Sequence, residues 1–126
     1  MEFGSLKGKT LIKILGAVGD KEMIFVTTEG EKYKLFHDQD CCEEVSIEDI
    51  AGEISDLIDS PILLAEEVVH DQDTTPEGVT PPDNQDDSFT WTFYKLSTIK
   101  GSLTIRWYGE SNGYYSESVD FEKIPA

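Results

Sequence analysis

Within seven residues, His37, Asp38, Asp40, Cys41, Cys42 and Glu43 bring together imidazole, carboxylate and thiol, the side-chain types that ligate transition metals. Their spacing argues for a turn instead. Neighbouring side chains diverge along an extended chain, no second ligand pair follows downstream, and Asp38-x-Asp40 lacks the later glycine and glutamate of a calcium loop. Cys41 and Cys42 are the only cysteines, and their adjacency disfavours a mutual disulfide, so free thiols in a reducing compartment are expected.

Other catalytic chemistries find less support. No Gly-x-Ser-x-Gly elbow and no phosphate-cradling glycine loop is present, and His37 and His70 are the only histidines. Paired carboxylates occur throughout so acidic a chain and carry no glycosidase or nuclease signal without geometry. The expectation is a binding protein without cofactor or metal, not an enzyme.

Charge supplies the sharper clue. The 126 residues carry 26 acidic against 10 basic side chains, a net charge of −16. All ten Lys and Arg lie outside Leu35 to Tyr94, while 17 of the acidic residues fall inside it. Such a field repels phosphate backbones and attracts basic surfaces. Direct nucleic-acid binding is therefore not expected, and a protein with a basic surface is. Glu43, Glu44, Glu48, Asp49, Glu53 and Asp56 are the candidate footprint, acting as a charge mimic of nucleic acid. An alternative site is aromatic: Tyr94, Arg106, Tyr108 and Tyr114 on one sheet face would stack on a small nucleotide or signal molecule while Arg106 and Lys95 meet its phosphate.

The elements that must position these residues read as α+β, an antiparallel β-rich single domain of about six strands over residues 1–126. Residues 10–16, 22–28 and 31–37 form a meander, with a turn at Glu29-Gly30 and with Tyr33 and Leu35 on one face. One short amphipathic helix is predicted near 46–58. Ser46-x-x-Asp49 caps it, Ile47, Ile50, Ala51, Ile54, Leu57 and Ile58 recur at helical spacing, and Pro61 stops it. Residues 62–69 suit another strand. Residues 70–88, with three prolines and six acidic residues, read as a mobile acidic loop. Beyond it, 89–96, 102–108 and 114–121 alternate apolar and polar residues around Lys100-Gly101 and Asn112-Gly113, predicting a three-stranded sheet. Trp91, Phe93, Ile105, Trp107 and Phe121 would be core, with Tyr94, Arg106 and Tyr108 facing away.

No apolar run is long enough to cross a bilayer, and the opening Met-Glu-Phe-Gly-Ser-Leu-Lys lacks a basic-then-apolar pattern, so a cytoplasmic protein is expected. Oligomeric state is open, self-association included. The strings His37-Asp-Gln-Asp-Cys-Cys-Glu43, Ser46-Ile-Glu-Asp-Ile-Ala-Gly52, Trp91-Thr-Phe-Tyr-Lys-Leu96 and Thr104-Ile-Arg-Trp-Tyr-Gly-Glu-Ser-Asn-Gly-Tyr-Tyr-Ser-Glu117 resemble a family of small bacteriophage and prophage proteins of unknown function. The similarity covers most of the chain apart from the acidic loop. It implies a phage or mobile-element source and an accessory protein directed at host machinery, such as an antiviral-defence complex, with no catalytic residues to carry over. A structural phage domain without enzymatic activity is the other implied role.

Overall fold

The computed structural model describes residues 1–71 and 88–125. Among these residues, eight strands make two four-stranded antiparallel sheets that pack face to face. The strands are β1 (Leu11–Leu15), β2 (Glu22–Thr27), β3 (Lys32–Phe36), β4 (Glu44–Gly52), β5 (Leu64–Asp71), β6 (Ser88–Thr98), β7 (Gly101–Ser111) and β8 (Asp120–Ile124). The first sheet runs β1-β2-β3-β8 and the second β4-β7-β6-β5. Alternation sends Met23 and Phe25 of β2 and Tyr33 and Leu35 of β3 inward, where they meet Leu96, Leu103, Ile105 and Trp107 of the second sheet. Each such side chain contributes roughly 1.5–3 kcal/mol by leaving water. Phe3, on a 3-10 turn at Phe3–Leu6, wedges between the sheets with its ring centroid 4.7 Å from Tyr94 and 5.3 Å from Phe121.

The meander and the strand after Pro61 are where the sequence placed them. The helix near 46–58 is not. Residues 44–52 are strand, followed by one 3-10 turn at Ile54–Leu57, and the described residues contain no α-helix. The cause is a bulge. Ile47 pairs with Trp107 and Asp49 with Arg106, so one extra residue, Glu48, enters the strand and the in–out phase slips. Val45 and Ile47 point inward before the slip and Ile50 after it, opposite Gly109, Trp107 and Ile105. The resulting spacing of three between Ile47 and Ile50 imitates a helical stripe. The extended pairing along β7, closed by Gly52 opposite Leu103, outweighs the local helical pattern.

The C-terminal third departs in a second way. β6 and β7 form the predicted hairpin, but β8 leaves them and pairs with β3 in the other sheet, Leu35 opposite Phe121. Asn112-Gly113 is a turn, with φ +94° at Gly113, that begins a crossing instead of a hairpin. On β6 the buried phase is also opposite to the expectation. Tyr94 and Leu96 enter the core between the sheets, whereas Trp91 and the half-buried Phe93 lie on the outer face of the second sheet. Trp91 is nevertheless buried, in a cluster with Phe89 and Tyr108 at centroid distances of 5.3 and 5.8 Å. Of the predicted acidic loop, His70 and Asp71 end β5 and Ser88 opens β6, and 72–87 lie outside the described residues.

The two sides of the sandwich end differently. At β4, the β1–β2 turn closes the edge: Gly19 N–H donates to the Ile47 carbonyl at 2.8 Å and Ile47 N–H to the Asp20 carbonyl at 2.9 Å. At the other side β5 and β8 are both outermost strands. Lysines gather in the first sheet and its connections, at positions 7, 9, 13, 21, 32, 34 and 123, whereas the second sheet has Lys95, Arg106 and the turn residue Lys100.

Candidate functional site

The loop from His37 to Glu43 is built around one carboxylate. The Glu43 side chain is fully buried and accepts from His37 Nε2 at 2.7 Å, Gln39 Nε2 at 3.0 Å, and the backbone N–H groups of Asp40 and Cys41 at 2.9 and 2.8 Å. Burial pushes its pKa up. The hydrogen bonds from His37 and from the backbone outweigh that and hold it at about 2. The other ring nitrogen, His37 Nδ1, lies 2.7 Å from the Ser118 carbonyl and ties the loop to the segment before β8. Glu43 is thus a structural anion, which removes it from any partner footprint. Among the described residues no three His, Cys, Asp or Glu side chains are arranged to hold a metal ion.

The expectation of free thiols is corrected: Cys41 and Cys42 are joined by a disulfide with an S–S distance of 2.06 Å. The premise of diverging side chains fails because the loop is not extended. Successive amides at Asp40 and Cys41 both aim at Glu43, where a strand would send them to opposite sides.

The remaining acidic candidates follow β4 and the turn after it. Glu44 and Asp49 are exposed on the outer face of the second sheet, and Glu53 is exposed just beyond. Glu48, at the bulge, is held by Arg106 Nε at 2.7 Å. Asp56 is half-buried, its carbonyl accepting from Thr98 Oγ1. These residues do not share a helix face, but Glu44 sits directly opposite Glu110 on β7, two carboxylates facing each other across a strand pair. Like charges so placed repel and cost stability.

The aromatic alternative is split by the sheet. Arg106 and Tyr108 share the outer face, where Tyr108 donates to Glu110 at 3.2 Å and its pKa is raised, first by burial and then by Glu110. Tyr94 points the other way, fully buried, donating to Glu67 at 2.8 Å, with its pKa raised well above the usual range by burial and by Glu67. Tyr114 stands 90% exposed in the turn after β7. The four residues therefore form no common platform.

Sequence reasoning overlooked the side where β5 and β8 end the two sheets. A groove of about 520 Å³ lies there, with Phe3, Ala65 and Phe121 on its apolar surface and Glu2, Glu67, Asp120 and Glu122 around it. A second cavity of about 260 Å³ shares Glu67 and Val119 with it and reaches Val69. Nothing local marks these residues, because they meet only when β8 crosses to the first sheet.

Residues 4–121 match the family described as a domain of unknown function, DUF7448. The chain belongs to this family. No curated protein matches the DUF7448 chain. No solved structure matches it either. The family assignment brings no activity with it.

Proposed function

We propose that this chain is a non-catalytic binding protein whose partner is a protein with a basic surface, recognised by charge. The observation that carries the reading is the poor neutralisation of its carboxylates. Among the described residues, ion pairs take up Glu31, Glu43 and Glu48, whereas Glu44, Asp49, Glu53 and Glu110 form none with their neighbours on the second sheet. The opposed pair Glu44 and Glu110 supports it further, since an arriving Lys or Arg would relieve their repulsion. The footprint is accordingly Glu44, Asp49, Glu53 and Glu110, without Glu43. In keeping with the phage resemblance, the partner class is a host protein that handles nucleic acid, including an antiviral-defence complex in the host cytoplasm, inhibited by occupation of its nucleic-acid site.

The nucleotide reading is weaker because Arg106, its phosphate anchor, is already held by Glu48. The test is a pull-down from bacterial lysate at low and high salt with the parent chain and the variant Glu44→Gln/Asp49→Asn/Glu53→Gln. Capture of a basic nucleic-acid-binding protein at low salt is expected to fall roughly tenfold in the variant, with the thermal melt not lowered, since Glu44→Gln also relieves the repulsion from Glu110. Equal capture by both proteins, or enrichment of a nucleotide in place of a protein, would overturn the reading.

A further inference from the structure

We propose that the groove between β5 and β8 receives an extended cationic segment of the basic partner, added as a strand along Glu66–Val69. This inference rests on the reading of the chain as a binder of basic proteins and names a contact separate from the β4 footprint.

Three observations meet there. First, β5 is an outermost strand, and among the described residues no backbone hydrogen bond reaches Glu66–Val69 from the side away from β6. The N-terminal turn approaches the strand one residue earlier, where Gly4 lies beside the Ala65 carbonyl. An unpaired strand edge is a template for another chain. Second, Val69 stands opposite the buried Thr92, on the inward-facing phase of the sheet, yet is 56% exposed. The first sheet does not extend over it, so an apolar side chain that the fold would otherwise cover is left for an incoming one. Third, the carboxylates around this opening, Glu67, Asp120 and Glu122, have no ion-pair partner among the described residues, and Glu67 is oriented by the hydroxyl of core Tyr94 at 2.8 Å.

Together they specify the ligand. Four residues of strand span about 13 Å, enough for two side chains on each face of an added strand. The face turned into the groove meets Glu67 beside Ala65, with Asp120 and Glu122 along the β8 rim, so Lys or Arg fits there with its charge toward these carboxylates. The segment is therefore extended, with basic residues at alternate positions.

The probe is a blocked hexapeptide alternating lysine and valine, titrated into the full chain, with a control in which the valines are prolines and the strand-pairing N–H groups are lost. The alternating peptide is expected to bind at low salt and to slow amide exchange at Glu66–Val69. Asp120→Asn/Glu122→Gln should weaken it roughly fivefold, while Glu44→Gln/Asp49→Asn/Glu53→Gln should not. Equal binding of the proline control, or protection appearing on β4 instead of β5, overturns the groove proposal and leaves the general reading standing. If neither this peptide nor any basic protein binds at low salt, both fall.

Discussion

Replacing Tyr94 by phenylalanine tests the register of the second sheet, because it removes a hydroxyl and leaves a ring whose position the fold dictates. Tyr94 is fully buried, 4.7 Å by centroid from Phe3, and its hydroxyl lies 2.8 Å from Glu67 and 3.4 Å from the Val119 carbonyl. A hydrogen bond to a charged acceptor contributes about 1.5–3 kcal/mol. Glu67 is exposed and turns to water when the hydroxyl is gone, which puts the loss near the lower limit, about 1.5 kcal/mol. For a chain of this size that is a fall in melting temperature of about 5 °C. Tyr94→Ala empties the ring's place as well and should cost about 3–5 kcal/mol. Tyr114→Phe, at a 90% exposed position, should lie within about 0.5 kcal/mol of the parent. Urea unfolding followed by the fluorescence of Trp91 and Trp107 reads all three. If Tyr94→Ala cost no more than Tyr114→Phe, the ring would be on the outer face and the phase of β6 described here would be wrong.

Acid titration gives a second expectation. Glu43 and Glu31 both have pKa values lowered to about 2 in the folded chain, Glu43 against burial by His37 and backbone donors, and Glu31 by Lys123 and Lys9. A lowered carboxylate pKa gives stability that is complete above the ordinary value near 4.5 and is lost as pH falls toward 2, so unfolding should steepen in that window. Glu43→Gln and Glu31→Gln should each flatten the pH dependence of urea midpoints there; an unchanged slope would deny the hydrogen bonds assigned to them. Gly52 has φ +114°, and a side chain there would collide with the Ser102 carbonyl oxygen, so Gly52→Ala should destabilise by more than about 1 kcal/mol in the same assay, and a neutral result would argue against the close pairing of β4 with β7.

Alternation alone located the meander, since Met23, Phe25, Tyr33 and Leu35 keep strict period two and the turn at Gly30 is a local feature. It failed at β4 because a single inserted residue, Glu48, changes the spacing of apolar side chains from two to three, and spacing is all that a periodicity reading has. It failed at Tyr94 for another reason: both faces of β6 are buried over Trp91 and Thr92, so neither phase is marked by polarity. Within the candidate site, the acidic character and the exposed Glu44, Asp49 and Glu53 were legible. The structural task of Glu43 was not, because its donors are mostly backbone. The groove was not either, because Glu67 and Asp120 are 53 positions apart and meet only through the crossing before β8.

That crossing also sets an order for the chain as it emerges from a ribosome. The second sheet is drawn from the continuous stretch between Glu44 and Ser111, and its β6–β7 and β4–β7 pairs can form as soon as that stretch is free. The first sheet has three strands made early, by Phe36, and a fourth synthesised after all the others. Until β8 arrives, β3 has one bare side and Phe3 lacks its contact with Phe121. The nascent protein thus carries an unfinished half through most of its synthesis. The charges of Lys32 and Lys34 along β3 would discourage a neighbouring chain from filling the gap first.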